Sequence, residues 1–320
     1  MNRAPLRAAG VASLVVLALV IPTYASALTS AELNCLDTIG SSGARFAERV
    51  HAALHACDEA IVVGNTCDTQ QRDSVIALAA SRLGKDLAAA CSQVDLTHLG
   101  FPGPCTDPDG GSFSVDNLTS CLVDAGEAQM TTAEDTEFPN PHPLSKPDAK
   151  CQVGIANATQ DFITSKLQAR SNCLDEQAAG TISASIDCRA EVPPGTGDPQ
   201  TDQAIAQAQA NLAANLQQAC GKTQLEHLGF PGSCSDPDGG SFSVGNLQDC
   251  LLTTLENAVD TFINFEYPPP GGPTPTPGST ATATPVVTAT AQPTTTATAT
   301  AQPTATLTAV RTATATTTPN

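Results

Sequence analysis

Tryptophan is absent from this 320-residue chain, tyrosine occurs twice and phenylalanine nine times. A core must therefore be built mainly from Leu, Ile, Val and Ala, and Ala-rich contacts bury little area per residue. Positive charge is scarce as well: 14 Lys and Arg stand against 32 Asp and Glu, a formal net charge of -18. A phosphate-binding surface needs clustered cations, so nucleic acid is excluded as an expected partner. The acidity reads as solubility, with the weak, general attraction for cations that any acidic surface has.

Catalytic signatures are missing too. The chain has no Gly-x-Ser-x-Gly elbow, no phosphate-cradling Gly-rich loop with Lys, and no Cys-x-x-Cys pair of the kind that holds zinc. No catalytic residue and no cofactor-binding motif is assigned on this basis.

At the N-terminus, Arg3 and Arg7 precede the apolar run Val11 to Ile21 and the small residues Ala25-Ser26-Ala27. This is the pattern of a signal peptide over residues 1–27, cleaved after Ala27. The apolar run is about half of what a membrane-spanning helix needs, so no transmembrane anchor is expected after cleavage. Loss of Arg3 and Arg7 takes the formal charge of the mature chain to -20.

All twelve cysteines follow that cleavage site, as Cys35, Cys57, Cys67, Cys91, Cys105 and Cys121, then Cys151, Cys173, Cys188, Cys220, Cys234 and Cys250. The first two of each six are 22 positions apart, and the last three are spaced by 14 and then 16. The two sets superimpose, so the chain reads as an internal duplication. An even count in an exported chain predicts disulfides and an oxidising compartment, secreted or at the cell surface.

Helical periodicity runs through both halves. Cys35, Ile39, Phe46, Val50, Leu54 and Cys57 share one stripe, matched by Cys151, Ile155, Ala158, Phe162 and Cys173. A second stripe, Ile76, Leu83, Leu87 and Cys91, recurs as Ile205, Leu212, Leu216 and Cys220, with Asp73 and Thr201 as candidate caps. A third helix starts near Ser114 or Ser243. It is clear in the second half through Val244, Leu247, Leu251, Leu255, Val259 and Phe262, and degraded in the first, where polar residues after Met130 predict early fraying.

These patterns predict an all-α fold of two tandem, disulfide-stapled three-helix repeats. Their bounds are 28–139 and 149–268, with a Pro-rich linker over 140–148. An up-and-down layout brings Cys57 to Cys67 and Cys173 to Cys188, and leaves Cys91, Cys105 and Cys121 open as partners for Cys35. The tail, 269–320, is Thr, Ala and Pro with one charge at Arg311 and has nothing with which to build a core. As an extended chain it reaches on the order of 150 Å, a natural spacer.

The segment Leu96 to Leu122 agrees with Leu225 to Leu251 at 21 of 27 positions, far above the helices around it. Phe-Pro-Gly, Cys and Asp-Pro-Asp-Gly-Gly-Ser form a chain of turns in which Phe101 and Phe230 plug the bundle end and Ser114 and Ser243 cap the third helix. Asp107, Asp109, Asp236 and Asp238 are the metal candidates there, since alternating carboxylates before Gly suit calcium. An EF-hand loop, however, needs a further early oxygen ligand and a Glu at its twelfth position.

Of the five histidines, only His98 and His227 correspond between halves, and beside turns they are expected to bond exposed carbonyls. His51 and His55 have the i, i+4 spacing of metal ligands without the intervening Glu of a zinc-protease motif, and the second half has Leu167 and Ser171 instead. They read as a solvated helix flank.

Cys151-Gln152, Ile155, Phe162, Lys166-Leu167 and Cys173-Leu174 together resemble the cysteine-rich helical repeats of exported bacterial proteins, which have no assigned activity. The resemblance implies architecture and location alone. The expected function is a secreted or surface-displayed noncatalytic module that binds an extracellular protein or a glycan or provides structure. The alternatives are a hydrolase-like enzyme using clustered carboxylates and a calcium-binding adhesive module.

Overall fold

The structure, a computed structural model, describes residues 28–107, 110, 112–236 and 239–269. Residues 1–27, which the sequence reads as a signal peptide, and almost all of the tail lie outside the described residues, as do Asp109 and Asp238. The regular secondary structure among the described residues is entirely helical, with no strand. The helices are α1 (Ser30–Val62), α2 (Thr69–Cys91), α3 (Val115–Glu137), α4 (Lys146–Ala178), α5 (Pro199–Cys220) and α6 (Val244–Glu266). A short 3-10 turn precedes α3 at Leu96–Leu99 and α6 at Leu225–Leu228, so one order of elements occurs twice.

Local sequence sets the helix ends. Thr29 and Glu32 form a capping box at α1, each side chain satisfying a backbone N–H of the other. Ser114 and Ser243 cap α3 and α6 as expected. Asp73 and Thr201 do not cap α2 and α5: Asp68 and Asp198 do, accepting from the amides of Gln71 and Thr201. The polar first turn of α2 has no apolar periodicity, which hid its true start. Helix α4 begins at Lys146, with Pro147 in its first turn, where a missing N–H costs nothing.

The six helices enclose one core. Helix α1 packs on α2, α3 and α4, and α3 on α6. Ile39, Phe46, Leu87 and Leu122 therefore belong to the same buried cluster as Ile155, Phe162, Leu216 and Phe262. Six disulfides cross-link it: Cys35–Cys91, Cys57–Cys67 and Cys105–Cys121, then Cys151–Cys220, Cys173–Cys188 and Cys234–Cys250. None joins one half to the other, and no cysteine is free. So many bridges fit an oxidising compartment. No helix among the described residues is long and apolar enough to cross a membrane.

The near-identical loops serve the contact between halves. Phe101 stacks on Phe113 and Phe230 on Phe242, ring centres 6.0 and 5.8 Å apart, and all four are buried. Gly103 lies against Pro268, at the end of the other half, while Gly232 lies against Pro139. Both glycines have φ of +54°, and a methyl group on either would collide with the facing proline ring. Each Phe-Pro-Gly loop is thus a socket for the proline that closes the opposite half.

Helix α3 does not fray early. It runs for 23 residues to Glu137, the same length as α6. Its last two turns present Met130, Ala133, Glu134 and Glu137 on one buried face. The i, i+3, i+4, i+7 spacing is that of a core stripe, with two carboxyls in place of apolar side chains.

Candidate functional site

Those two carboxyls meet His51. Its Nε2 is 2.9 Å from Glu137 Oε1 and 3.6 Å from Glu134 Oε2. The His51 and Glu137 side chains are fully buried, and that of Glu134 is 4% exposed. From the facing helix, Gln160 of α4 places Oε1 2.7 Å from His51 Nδ1. An amide oxygen can only accept, so Nδ1 carries a proton and Nε2 faces the carboxyls. Gln152, also on α4, donates from Nε2 to the Glu137 carbonyl at 2.6 Å and anchors the end of α3.

The rim is polar. His55, one turn beyond His51, is buried against the ring of Phe138, with centres 5.9 Å apart. Its Nε2 lies 3.8 Å from Glu59 and makes no hydrogen bond. Asp58 is half-buried on the same stretch of α1. The reading of His51 and His55 as a solvated flank is therefore overturned: α3 and Gln160 of α4 cover His51, and Phe138 at the end of α3 covers His55.

Electrostatics within the cluster are strained. Burial, then the carboxylates of Glu137 and Asp58, push the Glu134 carboxyl up to about 11. Burial opposes charge on His51, yet Glu137, with the hydrogen bonds to Glu137 and Gln160, prevails and holds the ring above its ordinary range. Burial holds His55 below its range, against the pull of Glu137. Both oxygens of Glu134 and Oε2 of Glu137 are buried and receive no hydrogen bond from a donor group, and Glu134 can bond the neighbouring Asp58 carboxyl only by sharing a proton with it. Such groups ordinarily cost stability, so the cluster calls for a cation or for bound protons. His51, Glu134 and Glu137 offer ligand atoms that all lie within 4.8 Å of one another.

The second half keeps only part of this arrangement. Glu266 ends α6 as Glu137 ends α3, and is fully buried, but Leu167 and Ile263 occupy the places of His51 and Glu134. Glu266 instead lies over Gly43 of α1, and Tyr267 over Gly40, where any side chain would collide. The Tyr267 hydroxyl donates to Asp175 Oδ1 at 2.9 Å. Nearby, Lys166 and Arg170, both buried, pair with Asp260 at 2.9 and 3.4 Å, and Arg170 also donates to the Cys188 carbonyl.

The calcium candidates are only partly placed. Asp107 accepts a hydrogen bond from Asn117 Nδ2 at 3.3 Å, and Asp236 also interacts with a neighbour. Asp109 and Asp238, which would complete each pair, are outside the described residues. Among the described residues, His98 and His227 approach carboxylates and not the expected carbonyls: Glu32 at 3.1 Å and Asp148 at 3.7 Å, corresponding acids in the first turns of α1 and α4. No protein-family model, curated protein or solved structure matches this chain.

Proposed function

We propose that this protein is a noncatalytic extracytoplasmic module, secreted or displayed at the cell surface, that binds an extracellular protein or glycan or gives structural support. The observation that carries the reading is the complete use of cysteine. Twelve residues form six bridges, one for roughly every forty residues of the helical region, and none is left as a nucleophile. Cross-links of this density hold a surface rigid, and a rigid surface loses little entropy on binding. The Thr/Pro-rich tail is the spacer expected to present it.

The carboxylate reading of an enzyme has its best site at Glu134 and Glu137. These side chains are sealed between α1, α3 and α4, whereas a hydrolase needs its acid and base on an open cleft. The test uses the oxidised mature protein against immobilised extracellular-matrix proteins and polysaccharides, with a reduced and alkylated sample as control. Saturable binding by the oxidised form without turnover of the bound polymer is the expected result. Turnover abolished by Glu137→Gln would establish the enzyme instead.

A further inference from the structure

We propose that His51, Glu134 and Glu137 form a binding site for one divalent transition-metal ion of the zinc class, buried where α1, α3 and α4 meet. The donor set is one imidazole nitrogen and two carboxylates, and no thiolate is available because every cysteine is bridged. Imidazole with carboxylate suits zinc and its first-row neighbours. Calcium takes six to eight oxygens, and three buried donors including a nitrogen do not supply them.

Geometry agrees with the assignment. Tetrahedral ligands about 2 Å from zinc lie roughly 3.3 Å from one another. The separations from His51 Nε2, 2.9 Å to Glu137 and 3.6 Å to Glu134, fall on either side of that value. The bond from Nδ1–H to Gln160 orients the ring so that Nε2, once its proton is displaced by a metal ion, directs its lone pair toward the carboxyls, the role outer-shell acceptors play for metal-bound histidines. Glu134, 3% exposed, receives no hydrogen bond from a donor group; it reaches only the half-buried Asp58 carboxyl, through a shared proton that a metal ion would displace.

The second half acts as an internal control. A buried Glu at the end of the third helix is common to both halves, so Glu137 by itself belongs to the fold. His51 and Glu134 are the additions, at positions where Leu167 and Ile263 give the other half an ordinary apolar contact. Burying an imidazole and a second carboxyl there is costly, and a bound cation removes the cost.

The experiment is a calorimetric titration of the chelator-treated, fully oxidised protein with zinc chloride, paired with thermal melts followed by circular dichroism. The expected result is one saturable site per chain and a higher melting temperature with zinc. The double variant His51→Leu, Glu134→Ile installs the residues the second half already carries. It should melt at or above the metal-free wild type and show no saturable zinc binding. Gln160→Leu should weaken binding about 10- to 100-fold, and His98→Ala, which alters an exposed histidine, should leave it unchanged. Should the double variant not fold, Glu134→Gln, equal in shape, gives the same reading through loss of the site. No saturable heat from wild type, equal zinc binding by the folded double variant or by Glu134→Gln, or calcium bound as tightly as zinc would each overturn the proposal.

Discussion

Glu266, alongside Glu134, shows how a buried side chain contributes to the response of this protein to pH. It is completely buried, both its oxygens lack hydrogen-bond partners, and burial, with the nearby Asp175 carboxylate, pushes it well above the ordinary carboxylate range. Asp175 itself is raised to about 6 by burial, with Asp37 adding to the effect and the Tyr267 hydroxyl opposing it. Arg189 approaches this corner but donates to the Tyr267 carbonyl. For an acid whose folded form holds its proton more tightly than the unfolded form, stability is full below the unfolded value, near pH 4, and is lost as pH rises through the folded one. Asp175 thus contributes a loss between about pH 4 and 6, and Glu266 one that continues above it. The melting temperature of chelator-treated protein is expected to fall steadily from pH 4 to pH 8. Glu266→Gln, neutral at every pH, should make that fall shallower while Glu134 and His51 maintain the remainder, and an unchanged slope would show that Glu266 keeps no proton.

The same scale explains why the cluster around His51 was misread in the sequence. Its partners Glu137 and Gln160 lie 86 and 109 positions away, so nothing local distinguishes a buried histidine from a solvated one. One signal was available: the apolar period of the third helix degrades in the first half alone, at Glu134 and Glu137. A stripe that turns polar without ending marks a place where the core itself is polar.

Among the elements, helix starts and loop sockets make separable predictions. Asp68 accepts from the Gln71 amide, whereas Asp73 lies five residues on and pairs only with neighbouring Arg72. Asp68→Ala should cost about 1 kcal/mol in a denaturant melt. Asp73→Ala should cost less than about 0.5 kcal/mol, as exposed pairs do. The reverse order would restore the sequence-based assignment of the cap. The glycine sockets predict larger effects. Gly232→Ala places a methyl group at positive φ and against Pro139, and is expected to cost about 2 to 4 kcal/mol. Gly240→Ala, eight residues on with open space around it, serves as the control and should stay within about 0.5 kcal/mol of wild type. Equal effects would remove the loop from the contact between halves. The agreement of the two loops at 21 of 27 positions has a physical reason here, since each must accept the closing proline of the other half.

For the whole molecule, the decisive feature is that the disulfides stay within each half while the core does not. Phe46 of α1 and Phe262 of α6 both touch the space around Gly126 of α3. Cutting the chain between halves would expose the facing sides of α1, α3, α4 and α6. Thermal unfolding of residues 28–269 should therefore be a single transition. Residues 28–139 expressed alone, with their three bridges formed, should melt at a lower temperature or self-associate. Two resolved transitions, or a half that melts as high as the whole, would mean that the halves are independent domains.

The helices, their three-and-three order and the pairing of Cys57 with Cys67 and Cys173 with Cys188 follow from the chain alone, because periodicity and short spacing are local properties. The partner of Cys35 stayed open among three until α2 was placed beside α1 and brought Cys91 to it. Tertiary structure alone decided the shared core, the proline sockets and the burial of His51 among carboxyls. Each depends on surfaces from distant parts of the chain closing over one another, and a side chain's solvation is a property of what covers it.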